Sequence, residues 1–183
     1  MQLSLKGKRN YLTGADIINF ALSKIINKKK IIFNFYRFSK KQLEIKKLKT
    51  NTKVEKNSII ASISHSNKKY FLYIVEKKKS IKKKILFDEV NLVKNSFIKK
   101  KNITLDQNLY NFFDTIVALN KKLLNKTVIK NKWVFCKLEI KQVNNLKFKK
   151  IKIEIKDSIK KKFYRSSIYL DNKLLGFIHF VKQ

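Results

Sequence analysis

One pattern occurs twice in this chain, and it constrains the fold more than any other feature of the sequence. From Thr13 the residues run TGADIINFALSKIINK, and from Thr104 they run TLDQNLYNFFDTIVALNKKLLNK. Each stretch opens with Thr-x-x and an acid or amide, then continues through ALxK to NK. A second echo lies downstream: SISHSNKKYFLYIV from Ser62 and SIYLDNKLLGFIHF from Ser167 share Ser-Ile and Asn-Lys at a constant offset of 105 residues. A capped apolar segment followed by a hairpin, written twice, implies two similar units. The expected division is residues 1–80 and 81–183, packed as a pseudo-symmetric pair.

The local signals suit a helix and a sheet in each unit. Thr13 and Asp16 have the spacing of a capping box, in which hydroxyl and carboxylate each satisfy an amide left open at a helix start. Ile17, Ile18, Ala21, Leu22, Ile25 and Ile26 then recur at helical spacing, predicting a helix over 13–27. Thr104 and Gln107 read as the same box for a longer helix over 105–125, with Leu109, Phe112, Phe113, Ile116, Leu119, Leu123 and Leu124 as its apolar stripe. Strands are expected at 2–6, 31–38, 42–48, 58–65 and 69–76 in the first unit, and at 84–88, 132–141, 147–156, 162–170 and 174–181 in the second. The lysine-rich stretch 77–84 reads as their junction. Val134, Cys136, Leu138 and Ile140 alternate along one strand face, and Ile151, Ile153 and Ile155 along another, with Lys150, Lys152 and Glu154 opposite. Such alternation belongs to an antiparallel sheet with one wet face.

Read in order, each unit is a strand, a long apolar helix and four strands on short connections. That order resembles the hotdog fold, in which an antiparallel sheet wraps a central helix, and two copies resemble a double hotdog. The fold class is therefore α+β, as two tandem helix-on-antiparallel-sheet repeats. The resemblance implies acyl-thioester chemistry, since hotdog proteins are typically thioesterases or dehydratases acting on acyl groups carried by CoA or acyl carrier protein. It also implies a ligand lying between two units, with the acyl chain beside a central helix. Acyl-CoA and acyl carrier protein are the partners implied.

A net charge of +33 raises a second possibility, because a basic protein gains affinity for polyphosphates by releasing their counterions. Only Arg9, Arg37 and Arg165 are arginine among 45 basic residues, and proline is absent. Lys, Asn, Ile, Phe and Tyr are the residues of A/T-rich codons, so a biased genome accounts for this vocabulary. Sites built for nucleic acid favour the arginine fork and stack bases on exposed aromatics. The alternative function is nevertheless a small basic RNA- or ribosome-associated factor that contacts nucleic acid nonspecifically, and a third is an assembly partner without a small-molecule site. No apolar run approaches the roughly 20 residues of a membrane span, and the first residues lack the apolar core of a secretory signal. The expectation is a protein of the cytoplasm or an organelle matrix.

Candidate residues follow from these readings. Asp16 stands at the start of the first helix, where the resemblance places catalytic groups, and it is also explained as a capping carboxylate. Asn19, one turn on, is placed to orient a thioester carbonyl or is an ordinary helix-surface amide. Gly14 permits close backbone approach of a ligand to the opening amides of the helix. Asp114 reads as a solvated helix residue that burial would turn into a general base. His65 and His179 lack neighbours at metal-ligand spacing, Cys136 lacks an activating histidine, and Asp88-Glu89 reads as a solvent-facing pair. No metal or cofactor is expected. Three glycines, Gly7, Gly14 and Gly176, supply neither a phosphate loop nor a dinucleotide fingerprint.

Overall fold

The computed structural model describes residues 3–25, 29–49, 58–65, 70–106, 111–142 and 149–183. In chain order its elements are β1 (Leu5–Lys6), α1 (Gly14–Leu22), β2 (Lys29–Phe35), β3 (Lys41–Lys49), β4 (Ile59–His65), β5 (Tyr70–Ser80) and β6 (Lys84–Ile85). There follow α2 (Glu89–Leu92), β7 (Phe97–Lys99), β8 (Asn102–Asp106), α3 (Phe112–Thr127), β9 (Trp133–Gln142), β10 (Lys150–Ile159), β11 (Phe163–Leu170) and β12 (Lys173–Lys182). Ten strands form one antiparallel sheet in the order β3-β5-β4-β2-β9-β12-β11-β10-β8-β7, while β1 and β6 pair separately and in parallel. The α+β expectation holds.

The two halves meet along β2 and β9, where Ile31 lies opposite Ile140 and Phe33 opposite Leu138. All four are buried, and each large side chain removed from water contributes about 1.5–3 kcal/mol. α3 packs over β8, β9 and β10 and beside α1, so both helices share one face of the sheet. Ile151 and Ile153 point into that core at 0% exposure, with Lys150, Lys152 and Glu154 on the opposite side of the strand, as their alternation predicted.

Several boundaries differ from the sequence expectation. Thr104 does not cap a helix. It lies in β8, paired with Lys152 of β10, because Ile103 and Leu105 alternate with it and bury themselves in the ladder. α3 begins instead at Phe112, capped by Asn111; Gln107 and Leu109 fall outside the described residues. α1 stops at Leu22 with Ser23 as its C-cap. Ile25 still packs against the core beyond the helix end, and Ile26 is outside the described residues. The proposed junction also begins too early: Lys77–Lys79 continue β5, their exposed side chains following the pairing with β3 as far as Lys41 opposite Ser80.

Cys136 interrupts its strand. His179 pairs with Lys137 and Phe180 with Phe135, so Cys136 is the extra residue of a β-bulge. The bulge shifts the alternation by one, placing Trp133 and Phe135 on the core side together with Leu138 and Ile140. The regular 134-136-138-140 face therefore does not form. At the other end of the same pairing, a Cβ on Gly176 would lie 1.9 Å from the Glu139 carbonyl oxygen. Glycine is required there by the approach of two backbones.

Candidate functional site

Lys6 is the centre of the site, and nothing about its neighbourhood in sequence announces it. β1 fixes its backbone against Ile85. Its ammonium then reaches between the two helices, 2.7 Å from Asp16 Oδ1 and 2.6 Å from Asp114 Oδ2. The two acids hold the same place in their helices. Asp16 is the third residue of α1 after its cap Thr13, and Asp114 the third of α3 after its cap Asn111. Each carboxylate also lies near the positive end of its helix.

The acids are not equally committed. Asp16 Oδ2 accepts the Thr13 amide at 2.8 Å and the Thr13 hydroxyl at 2.7 Å, while Oδ1 meets Lys6. The capping box expected from Thr13 and Asp16 is thus fully formed through Oδ2, and with Lys6 on Oδ1 both oxygens are engaged. Asp114 is buried, and among the described residues its Oδ1 meets no donor. Burial raises the Asp114 pKa above the ordinary carboxylate value, outweighing the opposite pull of Lys6. For Lys6 burial acts downward, but two carboxylates outweigh it and hold the ammonium more firmly protonated than usual. Asp114 is therefore not the solvated residue that its place on the helical wheel suggested.

Asp114 lines a cavity of about 120 Å³, walled by Gly14, Phe38, Phe87, Trp133 and Phe135. Gly14 and Ala15, the first two residues of α1, also border it, so the start of that helix and Asp114 line the same space. At Gly14 a Cβ would sit 2.3 Å from the Phe135 ring, which is itself stacked on Phe33. The freedom at this glycine is used by an aromatic neighbour. Asn19 does not line the cavity; its Nδ2 donates to Asn111 Oδ1 at 3.0 Å and ties α1 to the cap of α3.

The rim is cationic but internally balanced. Glu89 pairs with Arg9 and with Lys121, the latter at 3.0 Å, and Lys6 and Arg9 both lie against the Phe87 ring. Asp88 accepts from the amides of Val90 and Asn91 as the cap of α2. Neither acid of the Asp88-Glu89 pair is thus a plain solvent-facing group.

The other candidates stay apart from this cluster. Cys136 donates its thiol to the His179 carbonyl, and burial pushes its pKa up to about 11, far from the thiolate a nucleophile needs. His179 Nε2 lies 2.9 Å from Glu139 Oε1, and burial lowers the imidazole below its ordinary value. His65 closes β4. Among the described residues no three His, Cys, Asp or Glu side chains converge as a metal site, and no helix is long and apolar enough to cross a membrane.

Comparison of whole folds places the architecture. A protein from Novosphingobium aromaticivorans, named as a candidate thioesterase, superposes over 100% of this chain and 92% of its own, with a TM-score of 0.50 and 8% identity. The fold is a double hotdog. The TesB protein of Mycobacterium avium subspecies paratuberculosis superposes at 0.49 with 9% identity, covering 98% of this chain and 91% of its own. The dehydratase domain from the CurK module of curacin polyketide synthase gives 0.45 and 6%, over 94% and 84%. No family model and no curated protein matches the sequence. At these identities the likeness concerns the double-hotdog fold, so the chemistry must be argued from the side chains.

Proposed function

We propose that this double hotdog handles acyl thioesters at the Asp114 cavity, with residues 1–80 and 81–183 as its two repeats. The observation that carries the reading is one cavity, walled largely by aromatic rings, that is bordered by both the start of α1 and a buried carboxylate whose second oxygen meets no donor among the described residues. Those two groups suit a thioester carbonyl. The α1 amides of Gly14 and Ala15 would receive the carbonyl oxygen and the negative charge it develops. Asp114 would take a proton from water as the water oxygen bonds to the carbonyl carbon. When the carbon–sulfur bond then breaks, the same carboxyl returns the proton to the departing sulfur. Lys6 holds Asp114 in place, and Asp16 keeps Lys6 and the α1 cap in register. Asp16 is then a positioning residue, while Asn19 acts through Asn111 on the placement of α3.

The cavity volume limits the acyl group. An apolar cavity of about 150 Å³ accommodates benzene, so a space of about 120 Å³ suits a short acyl chain. CoA or a carrier protein would remain outside, at the basic rim. The test is thiol release from acetyl-, butyryl- and octanoyl-CoA, together with calorimetric binding of the same compounds. Saturable binding that weakens at octanoyl and is reduced by Phe135→Trp, which fills the cavity, supports the reading. Failure to bind any of the three, with the fold intact, would overturn it.

A further inference from the structure

The segment from Lys82 to Val90 has a surface that the cavity does not explain. Leu86 is 100% exposed, Val90 77% and Ile85 40%, three large apolar side chains in six residues. Lys82, Lys83 and Lys84 adjoin them, all exposed and in no ion pair among the described residues. The local acids only partly offset those lysines: Asp88, the cap of α2, is one charge against three, and Glu89 is held by Arg9 and Lys121. The backbone is nevertheless fixed, since Leu5 N donates to the Lys83 carbonyl and Gly7 N to the Ile85 carbonyl, both at 2.9 Å. The end of a short paired strand thus presents a projecting leucine beside three ammonium groups in no ion pair among the described residues.

The geometry points to an anionic lipid surface as the occupant of this segment. Apolar side chains that project singly, flanked by lysine, match the acyl boundary and headgroup layer of a bilayer, where each finds its own solvent. A protein partner would need a larger complementary face than three side chains provide. Nucleic acid would use exposed aromatics, whereas the one aromatic of the segment, Phe87, turns inward beneath Lys6 and Arg9. The charge of +33 draws the whole chain toward a negative membrane, and Leu86, Ile85 and Val90 decide which side meets it. Because Phe87 and Glu89 of this segment also wall the cavity, a docked membrane would lie at its mouth. The inference itself is independent of the acyl reading.

The test is sedimentation with vesicles of phosphatidylglycerol and phosphatidylcholine, compared with phosphatidylcholine alone, at about 0.15 M salt. The wild-type chain should bind the anionic vesicles and not the neutral ones. Leu86→Ser with Val90→Ser should weaken binding by about tenfold or more, since both side chains leave the acyl boundary. Neutralising Lys82, Lys83 and Lys84 to Gln should also weaken it, by about fivefold for each lysine near the surface. Neutralising Lys99, Lys100 and Lys101 to Gln removes equal charge and should have much less effect. In Leu86→Trp, emission should shift to the blue on anionic vesicles, adding to the signal of the buried Trp133. Circular dichroism confirms folding, which substitutions at such exposed positions should leave intact. Equal loss from both lysine sets with no effect of Leu86→Ser would overturn the proposal in favour of unspecific attraction. Leu86-dependent binding of polyuridylate or an acidic protein, without vesicle binding, would overturn it as well.

Discussion

The starts of α1 and α3 are built alike and spent differently. In both, a polar cap is followed three residues later by an acid that turns toward Lys6. Around Asp16 the cap is Thr13, whose amide and hydroxyl both bond the carboxylate. Around Asp114 the cap is Asn111, whose side-chain oxygen receives Phe113 N, Asp114 N and Asn19 Nδ2, so that among the described residues the Asp114 carboxylate has Lys6 as its one donor. Exchanging a hydroxyl for an amide at the cap therefore separates a carboxylate with both oxygens engaged from one whose Oδ1 meets no donor among the described residues. Two helix starts of one geometry can thus leave their carboxylates differently bonded.

Removing the shared partner should have the largest effect. Lys6→Met leaves two buried carboxylates facing each other, and breaking such a pair is worth about 3–5 kcal/mol, readable as a lower urea midpoint at pH 7. An unchanged midpoint would mean that the two acids do not depend on one cation. Next, Asp114→Asn should lower any thioester turnover by about 10²-fold or more, while Asp16→Asn should spare most of it. Equal losses would erase the distinction between the helices.

Stability should separate the acids with the opposite sign. The raised Asp114 pKa means that the folded chain binds this proton more tightly than the unfolded one. Its ionisation therefore lowers stability as pH rises from the ordinary carboxylate value of 3.8 through the raised native value. Asp114→Asn mimics the protonated form and should not destabilise the fold at pH 7. Asp16→Asn weakens charge-assisted bonds to Lys6 and Thr13 and should lose about 1–3 kcal/mol. For Lys6 the favourable contribution is complete below 10.5 and lost as pH rises through its still higher native value, so alkaline unfolding of the wild type should be steeper than that of Lys6→Met. The smallest change is expected from Asn19→Ala, about 0.5–1.5 kcal/mol for one part-exposed hydrogen bond, with turnover altered only through the placement of Asn111.

The same contrast explains what the sequence made legible. The double-hotdog resemblance, the Thr13-Asp16 box and the alternation at Ile151 and Ile153 depend on local spacing, and all three are visible in the residues. The start of α3 was misplaced because Thr104-x-x-Gln107 has the letters of a cap, while the β-branched alternation around it joins β10. A corrective signal was present: the two ALxK motifs begin at Ala21 and Ala118, 97 residues apart, whereas Thr13 and Thr104 are 91 apart. Asn111 stands 98 residues after Thr13, in near agreement with the motif. Lys6 and the burial of Asp114 had no such signal, since their meeting requires one side chain to reach acids on two helices whose starts are more than 90 residues apart in sequence. The strand layouts were equally hidden. After α1 the strands lie side by side as first, third, fourth, second, and after α3 as first, fourth, third, second. Hairpin letters at a constant offset of 105 do not reveal which strand of each hairpin faces the centre.

Among the described residues the sheet of ten strands has two unpaired borders, β3 and β7. Exposed backbone of that kind can template the addition of further strands from other molecules. β3 carries Lys41, Lys46, Lys47 and Lys49 on exposed positions, and β7 is only three residues long, ends at Lys99 and runs into Lys100 and Lys101. Stacking a second copy against either border would bring like charges together at strand spacing. Lysine at both borders thereby opposes fibre growth, and replacing the border lysines by threonine should make copies of the chain assemble edge to edge.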